Sequence, residues 1–184
     1  ATKNMVEDYL CSDGLPISLS PLYKGDAAYE DIFVDRDPRL RQTVMHPADQ
    51  PIYRYGNHDF DANTYPRIQG MPGGLKTYTG YHLIKVYNVK SAHAGYSTSI
   101  TPGISMRYAE TLLNYAEATA ELGNGTISQA DLDISINKLR DRDGMVHLVN
   151  NPPMDPRYAG DGISSVLVEI RRERRVELFI EGHR

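Results

Sequence analysis

Tryptophan is absent, cysteine occurs once and phenylalanine three times. A lone Cys11 excludes an intrachain disulfide and a zinc site built on cysteines. Long apolar runs are missing too. The longest are stretches such as Val166-Leu167-Val168 and Leu178-Phe179-Ile180, far short of the roughly 18 residues that a membrane-spanning helix needs. No basic run goes unbroken by acids, and 24 Asp and Glu against 20 Lys and Arg give a formal net charge of -4. That balance argues against a nucleic-acid partner, whose binding needs clustered cations to displace counterions. The segment Ala1-Thr2-Lys3-Asn4-Met5 lacks the apolar stretch of a signal peptide, so any targeting segment is expected to have been removed or to lie outside this sequence.

Catalytic signatures are equally scarce. The six histidines show no H-x-x-x-H or H-x-H spacing, there is no G-x-S-x-G, and Cys11 has no local protease signature. Neither a zinc enzyme nor nucleophilic catalysis is supported, and no catalytic residue, cofactor or metal is expected. Two carboxylates that converge in space would suffice for a glycosidase, and spacing alone does not reveal such a pair.

What is present divides the chain near Thr101-Pro102-Gly103. Residues 1–104 hold 10 of the 13 tyrosines and 17 of the 26 Gly and Pro, which reads as turns and short strands. A short helix is expected around Ala27–Phe33 and a strand over Tyr81–Tyr87. Residues 105–184 read as helices. Met106–Leu122 places Ala109, Leu112, Leu113, Ala116 and Ala120 at three-and-four spacing and stops at Gly123-Asn124-Gly125. Ser128 sits three residues before Asp131 in a capping arrangement, with Leu132, Ile136 and Leu139 forming one stripe up to Gly144. These two helices make a hairpin. A third helix is expected from about Asp161 to Glu181, stopping at Gly182.

Several constellations carry a chemical reading beside a plainer one. Glu169, Glu173, Glu177 and Glu181 form a like-charge i,i+4 column, which needs flanking arginines such as Arg172 and Arg174. Arg174 falls on the apolar stripe of Ile163, Val166, Leu167, Ile170 and Leu178, so it is expected to be partly buried and held by carboxylates or carbonyls. Gly70–Thr77 is one glycine short of a phosphate loop and reads as a turn. Asp59, Asp61 and Asn63 begin like a calcium loop, but Thr64 and Gly70 stand where Gly and a bidentate Glu belong. Asn124-Gly125-Thr126 matches a glycosylation sequon and suits a turn equally well. Tyr53, Tyr55, Tyr65, Tyr78, Tyr81 and Tyr96 crowd a Gly/Pro-rich stretch interspersed with Asn57, His58, Asp59 and Asp61. Aromatic faces can lie against the C–H face of a sugar while nearby amides and carboxylates bond its hydroxyls, and Tyr53, Tyr55, Asn57, His58, Tyr65, Tyr78 and Tyr81 are the seven candidate ligand contacts. The plainer reading is that the rings pack a core poor in Phe.

In order along the chain, Tyr9-Leu10-Cys11-Ser12-Asp13-Gly14-Leu15-Pro16-Ile17, Arg36-Asp37-Pro38-Arg39-Leu40 and Thr79-Gly80-Tyr81 through Lys85 precede the most specific run, Arg107–Ala118. Ile136–Arg142, Glu169–Leu178 and Glu181-Gly182-His183-Arg184 follow. Together they resemble the C-terminal half of the SusD/RagB family, the glycan-capturing outer-membrane lipoproteins of Bacteroidetes. His183 stands where many relatives have Phe or Tyr. The resemblance implies a mainly α, SusD-like fold of tetratricopeptide-like helical hairpins (105–184), with an irregular, loop- and short-strand-rich, Tyr-rich elaboration (1–104), both belonging to a longer protein. It implies a cell-surface subunit of the outer membrane that captures oligosaccharides or polysaccharides and delivers them to a TonB-dependent SusC-like porin. The lipid anchor would lie outside this sequence, since no apolar segment precedes Cys11. The chain is not expected to be an enzyme. A tetratricopeptide-like protein-interaction adaptor is the alternative, and a glycoside hydrolase the third.

Overall fold

A computed structural model describes residues 1–52, 77–86 and 103–182. Among the described residues there are six α-helices and no strand: α1 Lys3–Asp8, α2 Pro38–Thr43, α3 Tyr108–Leu122, α4 Gln129–Asp133, α5 Ile136–Asp143 and α6 Ser165–Glu177. Short 3-10 turns occupy Glu30–Phe33, where a helix was expected over a slightly longer span, and Pro47–Ile52 and Pro156–Tyr158.

Helices α1, α2, α4 and α6 each begin where a side chain accepts from a free amide, whereas α3 and α5 start without such a cap. Asp37 caps α2 by accepting from the Arg39 amide at 2.9 Å, with Pro38 in the first turn where its missing N–H costs nothing. Ser128 caps α4 through the Asp131 amide at 3.1 Å, and its own hydroxyl donates to the Asp131 carboxylate at 2.6 Å. Ser164 caps α6, so that helix starts at Ser165, later than the Asp161 start expected from sequence. It also ends earlier, at Glu177, because Leu178 leaves helical geometry and Ile180 is left-handed at φ 60. The reading of one helix from Ser128 to Arg142 is corrected to two. Ser135 breaks it by turning its hydroxyl back onto the Asp131 carbonyl, the local competition with the backbone that serine offers inside helices. Glycine is required at two stops. Gly144 closes α5 at φ 69, and Gly125, at φ 85, comes so near α6 that an added Cβ would lie 3.0 Å from the Ser164 hydroxyl.

The expected strand over Tyr81–Tyr87 is also corrected. The segment makes a single antiparallel bridge, Leu83 with Val44, flanked by Met45 N to His82 O and Ile84 N to Thr43 O, both 2.9 Å. Val86 then turns left-handed at φ 65, which ends extension of the ladder. Tyr87 lies outside the described residues.

Two apolar clusters form the interior. One joins Leu112, Leu113 and Ala116 of α3 to Leu132, Ile136 and Leu139 of α4 and α5 and to Val166, Leu167 and Ile170 of α6. The other joins Met5, Val6 and Tyr9 to Ile32, Leu40, Val44 and Val176. Each fully buried Leu or Ile contributes about 1.5–3 kcal/mol. Helix α6 lends side chains to both clusters, and is buried on almost every face.

Candidate ligand-binding cleft and the charges beneath it

Helix α6 buries carboxylates as well as apolar residues. Glu169, Glu173 and Glu177 are no more than 3% exposed, a burial that would cost several kcal/mol each without partners. The partners come mostly from distant segments and not from the arginines of the helix itself. Glu173 receives Arg39 from α2 and Arg140 from α5, the latter at 3.1 Å. Glu177 receives Arg39 at 3.0 Å, Arg142 at 2.8 Å and Arg107. Glu181 receives Arg107 and Lys85, each at 2.7 Å. Asp37 and Asp143 complete the group on Arg39, so five cations meet five carboxylates. Arg107 and Lys85 also donate to the Glu177 carbonyl, at 2.6 and 2.8 Å, where cations suit the negative end of α6.

A second group lies on the adjoining face. Arg172 spans Glu169 at 3.1 Å, Asp155 at 2.6 Å and Asp8 at 3.4 Å, joined by Arg157 and Arg175. Burial works against ionisation of Asp155, but donors from Arg157, Ser18 and Arg172 hold it down at about 2. Burial likewise raises Glu177, and the Arg142 and Arg107 donors outweigh it, leaving about 2. At Glu169 burial prevails over Arg172 and Arg140 and the carboxyl is raised.

The segment Arg36–Leu40 shows how sequence becomes this geometry. Arg36 donates to the carbonyls of Val6 at 2.8 Å, Tyr9 at 2.7 Å, Ile32 at 3.2 Å and Leu10 at 3.3 Å, tying down the end of α1. Asp37 caps, Pro38 starts the helix, Arg39 reaches the α6 column and Leu40 enters the core.

A cleft of about 1200 Å³ opens beside α6, which lends it Arg171, Arg174 and Arg175. Met5, Leu178 and Phe179 supply apolar surface, Tyr78, Tyr81 and His82 one wall, and Arg171, Arg174 and Arg175 another. Tyr78 projects freely, 85% exposed. Tyr81 is held by stacking on Tyr29, with centroids 6.2 Å apart and planes at 29°. Tyr29 is fixed in turn by an edge contact to Phe33 at 5.6 Å and by donation to the Met45 carbonyl at 3.2 Å. Burial lowers the His82 imidazole, which favours its neutral form at pH 7. The arginine wall is anchored from behind. Arg174 bonds Glu117 and Asn114, both at 2.7 Å, and Arg171 bonds Glu121 at 2.7 Å and Glu117 at 3.2 Å. An aromatic face beside apolar surface and fixed polar donors is chemistry for holding a neutral, hydroxyl-rich ligand.

Of the seven candidate contacts, Tyr78 and Tyr81 are brought together at this cleft; Tyr53, Tyr55, Asn57, His58 and Tyr65 lie outside the described residues, as do the calcium-like stretch and all of the phosphate-loop-like stretch except Thr77. Arg174 is partly buried and held by a carboxylate, as its place on the stripe predicts. It does not flank the α6 column, however: it turns to α3. Tyr29, which orders Tyr81, was signalled only by its place in the short helical segment. Among the described residues no group of His, Cys, Asp and Glu is arranged to hold a metal ion, and no helix is long and apolar enough to cross a membrane.

The helical scaffold is thus clamped on one carboxylate-bearing helix beside an aromatic-walled cleft. The model of the SusD family (SusD_RagB) matches residues 1–184, and the chain belongs to that family. It is similar to the crystal structure of a SusD-like carbohydrate binding protein from Bacteroides fragilis, with 26% identity and a TM-score of 0.66, covering 98% of this chain and 33% of that one. A second SusD-like protein from the same organism shares the fold at 23% identity and a TM-score of 0.63, again over 98% and 33%. No curated protein matches. The chain thus spans about a third of the length of these structures. The family consists of carbohydrate-binding proteins rather than enzymes, and of cell-surface lipoproteins of Bacteroidetes. The motif segments quoted from the sequence are the ones that supply Arg36, which ties down the end of α1, and Arg39, Lys85, Arg107, Arg140 and Arg142 with the column they serve.

Proposed function

We propose that the protein to which this chain belongs captures oligosaccharides at the cell surface of the outer membrane and delivers them to a TonB-dependent SusC-like transporter. The observation that carries the reading is the family match over all 184 residues, reinforced by a structural relative described as carbohydrate binding. The cleft adds a local rationale: Tyr78 offers a ring face, Tyr81 is pre-positioned by Tyr29, and His82 offers an imidazole beside them. Tyr53, Tyr55, Asn57, His58 and Tyr65 are proposed as further contacts on the sequence pattern. The helical hairpin of α3 with α4 and α5 would be one unit of a tetratricopeptide-like scaffold. The test of delivery is affinity purification of the full-length protein from outer membranes. A co-purifying TonB-dependent porin is the expected result; recovery of a different protein partner, together with no glycan binding, would overturn the reading.

A further inference from the structure

Left-handed backbone is uncommon outside glycine and asparagine, and it is a strained outlier for β-branched residues. Among the described residues two of that kind adopt it, Val86 at φ 65 and Ile180 at φ 60. Strain of this sort persists only where surrounding contacts hold it, and it gathers at ligand clamps. The two positions are far apart in sequence, yet they share one neighbour. Lys85 directly precedes Val86, and its ammonium donates to the Glu177 carbonyl at 2.8 Å and the Phe179 carbonyl at 2.9 Å and pairs with the Glu181 carboxylate at 2.7 Å. These acceptors engage every donor an ammonium has. Phe179 and Glu181 flank Ile180, so one side chain sits beside the first strained residue and bonds both neighbours of the second.

The segments that Lys85 joins are walls of the cleft. Tyr78, Tyr81 and His82 belong to the first, and Leu178, Phe179 and Ile180 to the second. The first is tied to the end of α2 by the Leu83–Val44 bridge and the Ile84 N to Thr43 O bond. The second continues α6 as a turn closed by Glu181 N to Leu178 O at 3.0 Å. Ile180 is the third residue of that turn, where left-handed backbone ordinarily calls for Gly or Asn. Each wall thus has its own anchor, and Lys85 fixes one relative to the other.

We propose that Lys85 is a positioning residue of the cleft: it holds the wall of Tyr78 and Tyr81 and the wall of Phe179 and Ile180 in one placement, against the strain at Val86 and Ile180. The proposal rests on the reading of the cleft as a glycan site. The test titrates the full-length protein with cellohexaose, xylohexaose, mannohexaose and maltohexaose. Lys85→Met keeps an apolar stem and leaves Glu181 paired with Arg107. It should weaken binding about three- to tenfold, because the walls are no longer pre-organised. Adding Val86→Asn, at a position that does not line the cleft, relieves the strain that the lysine opposes and should restore affinity to within about twofold of the parent. A lysine with a merely structural role would show no such rescue. If Lys85→Met misfolds, Lys85→Gln, which keeps an amide donor, should show a loss in the same direction and the same rescue. Tyr78→Ala reports on the site itself. Weaker binding by Tyr78→Ala with the Lys85 variant at parent affinity, or a Lys85 loss that Val86→Asn does not restore, would overturn the positioning role and leave the glycan site standing. No binding of any of the four sugars by the parent, or binding that neither Tyr78→Ala nor Tyr81→Ala alters, would remove the site and the positioning role together.

Discussion

Arg140 places its Nε 3.1 Å from Glu173 Oε2, and both side chains are 2% exposed. The two residues are 33 positions apart, and the second oxygen of the same carboxylate takes Arg39 from a third segment. One buried charge on α6 therefore ties two distant parts of the chain together. Replacing Glu173 by Gln takes from buried Arg140 the carboxylate it pairs with, while Arg39 keeps Asp37, Glu177 and Asp143. The expected loss is about 3–5 kcal/mol, the range for breaking a buried pair on one side. Thermal or denaturant unfolding of the full-length protein checks it, and a loss below about 1 kcal/mol would mean that the pairing adds little.

The helical character of residues 105–184 and the stops at Gly123–Gly125 and Gly144 were legible from periodicity and capping residues, because those signals are local, whereas α1 and α2, six residues each, are too short to show a helical period and were not expected. Ser128, Gly125 and Gly144 act as their neighbours in sequence indicate. The break at Ser135 was missed, since the apolar stripe of Leu132, Ile136 and Leu139 continues through it and a back-turned hydroxyl leaves no trace in the pattern. The acidic column of α6 was visible as a problem of like charges, but its solution was not. Arg39, Lys85, Arg107, Arg140 and Arg142 come from segments up to 138 positions away, a pairing that spacing along one helix does not encode. The resemblance to a family pointed at those segments without saying what they do. The cleft was half legible: the wealth of Tyr was plain, whereas the stacking of Tyr81 on Tyr29 depends on tertiary packing.

Acid should destabilise the protein within a narrow window. Glu177 and Asp155 are depressed to about 2, and Glu173 and Glu181 are also lowered, against about 4 in an unfolded chain. Between these values the unfolded state binds more protons. The stability these groups contribute is fully present above about pH 4.5 and is lost as pH falls through the folded values. Glu169, raised by burial, acts in the opposite sense: its contribution is present at low pH and lost as pH rises through its folded value. Melting temperatures followed from pH 7 to 2 should drop steeply below about pH 4, and Glu177→Gln should flatten that drop. An unchanged acid limb in the variant would show that Glu177 is not the group responsible.

Arg174→Ala should lower stability by about 1 kcal/mol, because its half-buried guanidinium joins α6 to Glu117 and Asn114 of α3. An unchanged melting temperature would contradict that joining role. The capping serine offers a comparison: Ser128→Ala should also cost about 1 kcal/mol, through the Asp131 amide it leaves unbonded.

Tyr78 and Tyr81 separate binding from folding. Tyr78→Ala removes an exposed ring and should leave stability within about 0.5 kcal/mol while weakening glycan affinity by about 0.5–1.5 kcal/mol, or roughly two- to tenfold. Tyr81→Ala should reduce both affinity and stability, because it also deprives Tyr29 of its stacking partner. Parallel titrations and melting curves distinguish the two patterns. Unaltered affinity in both variants would remove the cleft from the binding site.

Calorimetric titration of the full-length protein against a panel of oligosaccharides, with reducing ends assayed in the same samples, tests the glycan-capture function most directly. Saturable binding to at least one glycan with no release of reducing ends is the predicted result. A flat titration across the panel, or reducing ends released at a rate that a double carboxylate substitution abolishes, would contradict it.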